Sequence, residues 1–188
     1  MFHFNVSLTE RDYYEFNKFI ALHSVLGKKQ MRQIRILIAL LSLIIAITVF
    51  LRAGGPIDAA RFIASFLIAA VFCAVLQAIL KPLTLLSLKM RLKQMKKTGK
   101  LSYHASAELT FGEESVCETT PSSRSEEYYQ AIERICYLPG RIIYLFTDLS
   151  RAYLLPVTAF ASQAELESFL TFIEDHTGRR AETFQGKA

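Results

Sequence analysis

Residues 49–62 read VFLRAGGPIDAARF, a short turn-like stretch between the two most apolar runs of the chain. Whether it turns inside a soluble core or in water beyond a membrane decides the fold. Residues 36–51 (ILIALLSLIIAITVFL) carry no charge over sixteen positions, and residues 62–80 (FIASFLIAAVFCAVLQAIL) carry none over nineteen. Neither run has a polar face at helical spacing, and a helix apolar all round belongs in a buried core or in lipid. At about 1.5 Å per residue the second run spans roughly 28 Å, close to the ~30 Å hydrocarbon layer. The first spans roughly 24 Å, and the long stems of the flanking Arg35 and Arg52 reach the interfaces. Its twelve Leu, Ile, Val and Phe each favour insertion by about 0.3–0.6 kcal/mol near mid-membrane. A soluble core would have to wrap both runs with the remaining residues, which are too few and too charged. The expectation is a transmembrane helical hairpin.

In that hairpin the quoted stretch turns in water. Gly54 and Gly55 permit positive φ, and Pro56 cannot continue a helix from Leu51. The second helix is expected to begin near Pro56 or Ile57, with Asp58 favourable at its positive end. Lys28, Lys29, Arg32 and Arg35 precede the first run, and Lys81, Lys89, Arg91, Lys93, Lys96, Lys97 and Lys100 follow the second. The turn has only Arg52, Arg61 and Asp58, so the positive-inside rule puts both termini in the cytoplasm. A cleaved signal peptide is not expected, because some 35 polar, structured-looking residues precede the first run.

Composition agrees that the apolarity is local. The 188 residues are 52% hydrophobic, with mean hydropathy +0.26. Residues 1–100 hold 15 Lys and Arg against 4 acids, and residues 101–188 hold 7 against 13, so the halves carry +11 and −6. Such asymmetry implies two environments. Three cysteines without paired spacing argue against a disulfide framework and for a reducing compartment.

The flanking segments read as small folded elements. Phe2, Phe4, Val6 and Leu8 alternate as in a strand. Thr9 caps a following helix with Glu10 and Asp12 in its first turn, and Leu8 and Tyr13 stand at hydrophobic-staple positions. That helix continues through Phe16, Phe19 and Ile20 to about Leu26, where Gly27 either ends it or forms a joint. Residues 1–33 are too small to fold alone and should pack on the C-terminal domain. From Leu101 the period becomes two: Tyr103, Ala105, Ala107, Leu109 and Phe111 alternate, then SVCETT, a PSSRS turn, and EEYYQAIERICYL as one strand. IIYLF and RAYLLP follow across the PGR and TDLS turns. Ser162 and Glu165 form a capping box on a last helix with the apolar stripe Leu166, Phe169, Leu170 and Ile173.

The expected fold class is therefore an α+β membrane protein. Residues 1–33 are a cytoplasmic strand and helix, 34–81 the transmembrane hairpin with its turn near 52–57, and 82–100 a basic juxtamembrane helix kinked at Pro82. Residues 101–176 form a small cytoplasmic antiparallel β domain, resembling pleckstrin-homology-like barrels, closed by a C-terminal helix; 177–188 are a flexible tail.

LTERDYYEF, two spans, LTFGEE, YYQAIERI, IIYLF and LLPVTAF in that order resemble the YcxB-like family of bacterial membrane proteins. Tyr129 stands where that family usually has a Trp, while Pro156 and Phe160 match its Pro and Phe before the final helix. The resemblance implies a bacterial inner-membrane protein with a cytoplasmic domain and no established activity.

Chemistry is sparse. His3, His23, His104 and His176 are scattered, without a zinc-protease or His–Cys metal spacing, and the glycine pair lacks the Lys and Ser/Thr of a phosphate loop. No cofactor, metal site or catalytic residue is expected. Leu85, Leu88, Leu92 and Met95 form a helical stripe among cations, so Lys89, Arg91, Lys93, Lys96, Lys97 and Lys100 either set topology or hold anionic lipid. Nucleic acid is set aside, since these cations lie against a bilayer and the following domain is acidic. Ala39, Ser42 and Ala46 share one helix face, and Ala70, Ala74 and Ala78 another, where small residues would let helices meet within one chain or in a homodimer. The expected function is a non-enzymatic, membrane-anchored binding or regulatory module with an unknown protein partner or lipid. The alternative is an accessory transporter subunit or a membrane-associated enzyme.

Overall fold

The computed structural model describes residues 1–52, 59–98 and 106–184. The expected turn at Gly54, Gly55 and Pro56, the strand positions Tyr103 and Ala105, and Lys100 lie outside them. The chain divides into two compact units, Met1–Glu15 with Leu101–Ala188, and Phe16–Lys100.

In the first unit, alternation builds the strands. β1 (Phe2–Ser7) buries Phe4 and Val6 and exposes His3 and Asn5. It pairs antiparallel with β2 (Ser106–Phe111), setting Phe4 opposite Leu109 and Val6 opposite Ala107. β3 (Ser115–Thr119) and β4 (Arg124–Tyr128) complete a sheet of order β1-β2-β3-β4. A second sheet has the order β7-β6-β5-β8, from β5 (Arg134–Leu138), β6 (Ile142–Phe146), β7 (Ala152–Pro156) and β8 (Ala181–Thr183). Gly140, at φ 68°, makes the turn from β5 to β6.

Two sequence expectations change here. EEYYQAIERICYL is not one strand: a turn of 3-10 helix at Tyr129–Ala131 divides it between the sheets. Tyr129 and Ile132 turn inward, and the buried Tyr129 hydroxyl donates to the Gly112 carbonyl at 2.8 Å. Nor are residues 177–184 part of a flexible tail; the rest of that expected tail, 185–188, lies outside the described residues. β8 runs parallel to β5, Phe184 donates its amide to the Tyr137 carbonyl at 2.9 Å, and Arg134 forks onto Glu182 at 2.8 and 2.6 Å.

One core joins both sheets to the helix α4 (Gln163–Thr177). Ser162 caps it, accepting from the Glu165 amide at 3.1 Å, and Glu165 accepts from Ala161 at 2.6 Å. Gly178, at φ 64°, ends it. Phe169 is the hub: its ring meets Phe4 at 5.3 Å, Phe111 at 4.8 Å and Phe160 at 5.4 Å, mostly edge to face. β6 is buried on both faces. Ile143 and Leu145 enter the core, and Ile142, Tyr144 and Phe146 lie on the other side. On that side Glu15, in the first turns of α1 (Glu10–His23), reaches Arg141 at 4.0 Å.

In the second unit, α1 ends at His23 rather than Leu26, and α2 (Val25–Arg52) follows after the single buried Ser24. Gly27 is the joint. A Cβ there would lie 2.3 Å from the Ile20 carbonyl oxygen and 2.4 Å from that of Ala21. α3 (Ala59–Lys97) is a single helix that runs on through Pro82, so the expected boundary between span and juxtamembrane helix is not an element boundary. Pro82 lacks the N–H that would bond the Ala78 carbonyl; two residues on, the Thr84 hydroxyl donates to the Leu80 carbonyl at 2.8 Å.

Candidate functional site

α2 and α3 are antiparallel neighbours. Phe50 and Phe62 meet at 5.7 Å between ring centroids near one end, and the Thr84 hydroxyl lies 3.7 Å from the Met31 sulfur near the other. The seam between them is narrow: Ser42 and Ala46 of α2, Ser65, Ala69 and Leu80 of α3 are buried. Ser42 returns its hydroxyl to the Ile38 carbonyl at 2.8 Å, which removes the cost of burying it among apolar neighbours. The other expected packing residues, Ala39, Ala70, Ala74 and Ala78, are exposed.

Outside that seam the hairpin presents apolar side chains outward. Leu37, Leu40, Ile44, Ile63, Leu67, Ile68 and Val71 are all about half exposed or more. Only 11% and 17% of the most apolar windows of the two helices are buried, and both helices are long and apolar enough to cross a membrane.

Charge is as unevenly placed as apolarity. Between Phe16 and Lys100 the sequence has fourteen cations and one acid, Asp58; the rest of the chain has eight cations and sixteen acids. The two units therefore carry +13 and −8. Of the expected lipid contacts, Lys89, Arg91, Lys93, Lys96 and Lys97 are exposed along the last part of α3, while Leu85, Leu88, Leu92 and Met95 between them are half-buried.

Little reactive chemistry gathers among the described residues. His3 lies 3.1 Å from both Glu108 and Thr110 on the outer face of the first sheet. His23 stacks on Phe19 at 5.3 Å, and His176 Nδ1 is 2.8 Å from the Phe172 carbonyl oxygen. Cys136 is fully buried, and burial pushes its thiol up to about 12, so it stays a neutral packing residue. Cys117 sits 3.2 Å from the Arg124 Nε on the outer face. Among the described residues no three His, Cys, Asp or Glu gather as metal ligands.

Sequence reasoning missed one grouping. Glu118, Ser125 and Glu127 lie on the same side of β3 and β4 as the buried Val116, at the rim of the core beside Tyr153 of β7; Ser125 itself is exposed and the glutamates are half-buried. Tyr153 is hydrogen-bonded with Ser125 and Glu127, and its phenol is held above its ordinary value, first by burial and then by the two carboxylates. Counting by twos from Val116 would have found it. Its chemistry is closure: a protonated phenol links the edge of one sheet to the edge of the other.

Neither a family model, nor a curated protein, nor a solved structure matches this chain. Its class rests on its own geometry: an α+β chain with two long apolar helices and two antiparallel-rich sheets.

Proposed function

We propose that the chain is an integral inner-membrane protein, α2 and α3 spanning the bilayer as a hairpin with both termini in the cytoplasm. In this reading the β domain is a non-enzymatic binding or regulatory module held at the membrane. The observation that carries it is the pairing of a narrow small-residue seam with an apolar surface exposed on nearly every other side. Water makes such a surface costly and lipid does not. The cation asymmetry about the turn supports the orientation. Two four-stranded sheets sharing one core with a C-terminal helix fit a pleckstrin-homology-like binding domain, and the YcxB-like resemblance fits the same architecture.

The test is topology by labelling. In a chain whose native cysteines are replaced by serine, a membrane-impermeant thiol reagent should label Gly54→Cys on intact cells and should label Ser123→Cys only after lysis. The opposite pattern overturns the orientation, and release of the chain by alkaline carbonate overturns the membrane reading. Purification from solubilised membranes with proteins and lipids identified together tests the binding role; a chain that retains neither in fixed ratio is not a binding module.

A further inference from the structure

The ten described cations at the open end of the hairpin stand at different heights, and the two cross-contacts give the scale. From Met31 to Phe50 is nineteen residues along α2, about 28 Å; from Phe62 to Thr84 is twenty-two along α3, about 33 Å. Each matches the ~30 Å hydrocarbon layer, so the Met31–Thr84 contact marks one of its faces. Five exposed cations cluster at that level. Lys28 and Lys29 lie about 5 Å outside it, and Arg32, Arg35 and Lys81 within about 6 Å on the inner side. They come from both helices, which packing holds side by side. Lys89 and Arg91 lie about 8–11 Å beyond it, and Lys93, Lys96 and Lys97 about 14–20 Å beyond it, on the same unbroken α3.

A second observation draws the same line. The last exposed large apolar residue described on α3 is Met90; Leu83, Leu86 and Met90 are about half exposed, and beyond them the exposed positions are polar. α3 thus stops presenting a lipid-compatible surface before it reaches Lys93. The headgroup layer adds about 5–8 Å outside that face, so Lys93, Lys96 and Lys97 stand roughly 6–15 Å beyond it; with a Debye length of about 8 Å at physiological ionic strength, their attraction to the headgroups is weakened while that of the residues at the face is not.

We propose that Lys28, Lys29, Arg32, Arg35 and Lys81 form one belt, contributed by both helices, that binds the headgroups of anionic phospholipids, and that Lys93, Lys96 and Lys97 do not. Guanidinium groups at 32 and 35 fork onto phosphate oxygens while the lysines supply point charges beside them. No acid lies between Phe16 and Lys97 except Asp58, more than twenty residues from any belt position in sequence, so the belt has no acidic neighbour in sequence to neutralise it. The inference rests on the membrane reading.

The test uses the full chain in neutral detergent micelles doped with either phosphatidylglycerol or phosphatidylcholine, with thermal unfolding as the readout. Phosphatidylglycerol should raise the midpoint, phosphatidylcholine should not, and high salt should remove the difference. The shift should fall by more than half in a variant with glutamine at 28, 29, 32, 35 and 81 and persist in K93Q/K96Q/K97Q. Two smaller variants, R32Q/R35Q and K28Q/K29Q, should each lose part of it while keeping the wild-type midpoint in phosphatidylcholine, which guards against a fivefold variant that fails to fold. Loss of the shift in the outer variant, or its retention in both smaller ones, overturns the belt. Absence of any phosphatidylglycerol effect on a chain that resists carbonate extraction overturns the belt and leaves the membrane reading intact.

Discussion

Gly27 donates its amide to the Ser24 hydroxyl oxygen at 2.9 Å, and that bond begins α2 where α1 stops. Ser24 serves both helices. Its hydroxyl donates to the Ile20 carbonyl at 2.6 Å, its amide donates to the same carbonyl at 3.2 Å, and its own carbonyl accepts from Lys28 at 3.0 Å. The two helices can turn this tightly because residue 27 has no Cβ to strike the Ile20 and Ala21 carbonyls. Gly27→Ala should therefore cost about 1–3 kcal/mol, through a displaced backbone rather than a lost contact. Ser24→Ala should cost about 0.5–2 kcal/mol as a lost cap. Thermal unfolding in detergent measures both; a neutral Gly27→Ala would mean that the joint is not built this closely.

Alkaline pH should unfold the β domain in a defined window. Burial raises the Tyr129 phenol from 10.0 to about 12, and burial also raises those of Tyr144 and Tyr153. In the unfolded chain these phenols ionise near pH 10, while the folded chain keeps its protons. The unfolded state thus binds fewer protons above pH 10, and stability falls as pH rises. Stability from these groups is complete below about pH 10 and is lost towards and beyond pH 12. With eight tyrosines and no tryptophan, phenolate absorbance reports this directly: a late fraction from Tyr129, Tyr144 and Tyr153 should appear only as the domain unfolds. Absence of any late fraction would contradict the burial.

Tyr129→Phe isolates one of these groups. It keeps the ring among Phe172 and His176 but deletes the donor to the Gly112 carbonyl. The expected cost is about 1 kcal/mol, read from denaturant midpoints. Phe169→Ala should cost about 3–5 kcal/mol, because the ring is fully buried at the hub of the core.

What the sequence could convey follows from which forces are local. β1, the strands around Val116 and Leu155, and the Ser162 cap were legible, because alternation and capping are written in neighbouring residues. The break at Tyr129 was not. Apolar residues continue on both sides of it, and the contact that fixes Tyr129 there, its hydrogen bond to Gly112, is made seventeen positions away. β8 was hidden for a related reason. Three residues, Ala181–Thr183, carry no usable period, and they form a strand only because β5 has an open edge beside them. In the helices the obstacle was different. A segment apolar all round has period but no phase, so Ala70, Ala74 and Ala78 looked as suitable for packing as Ser65 and Ala69.

That ambiguity in phase is resolved at Ala46 and Ala69, which are 1% and 5% exposed at the seam. Leucine at either position adds three carbons where two helices already touch, so Ala46→Leu and Ala69→Leu should each destabilise the hairpin by about 1–3 kcal/mol. Ala74→Leu adds the same atoms to an exposed position and should change the stability of the single chain by less than about 0.5 kcal/mol. The comparison is made by thermal unfolding in detergent, with disulfide trapping between cysteines placed at Met31 and Thr84 as a check on the pairing. If Ala74→Leu proves the most damaging of the three, the packing face is Ala70, Ala74 and Ala78 and the seam has been assigned to the wrong side of α3. If it instead leaves unfolding unchanged but lowers crosslinking between copies, that outer face joins two chains, and the seam and the dimer contact occupy different sides of one helix.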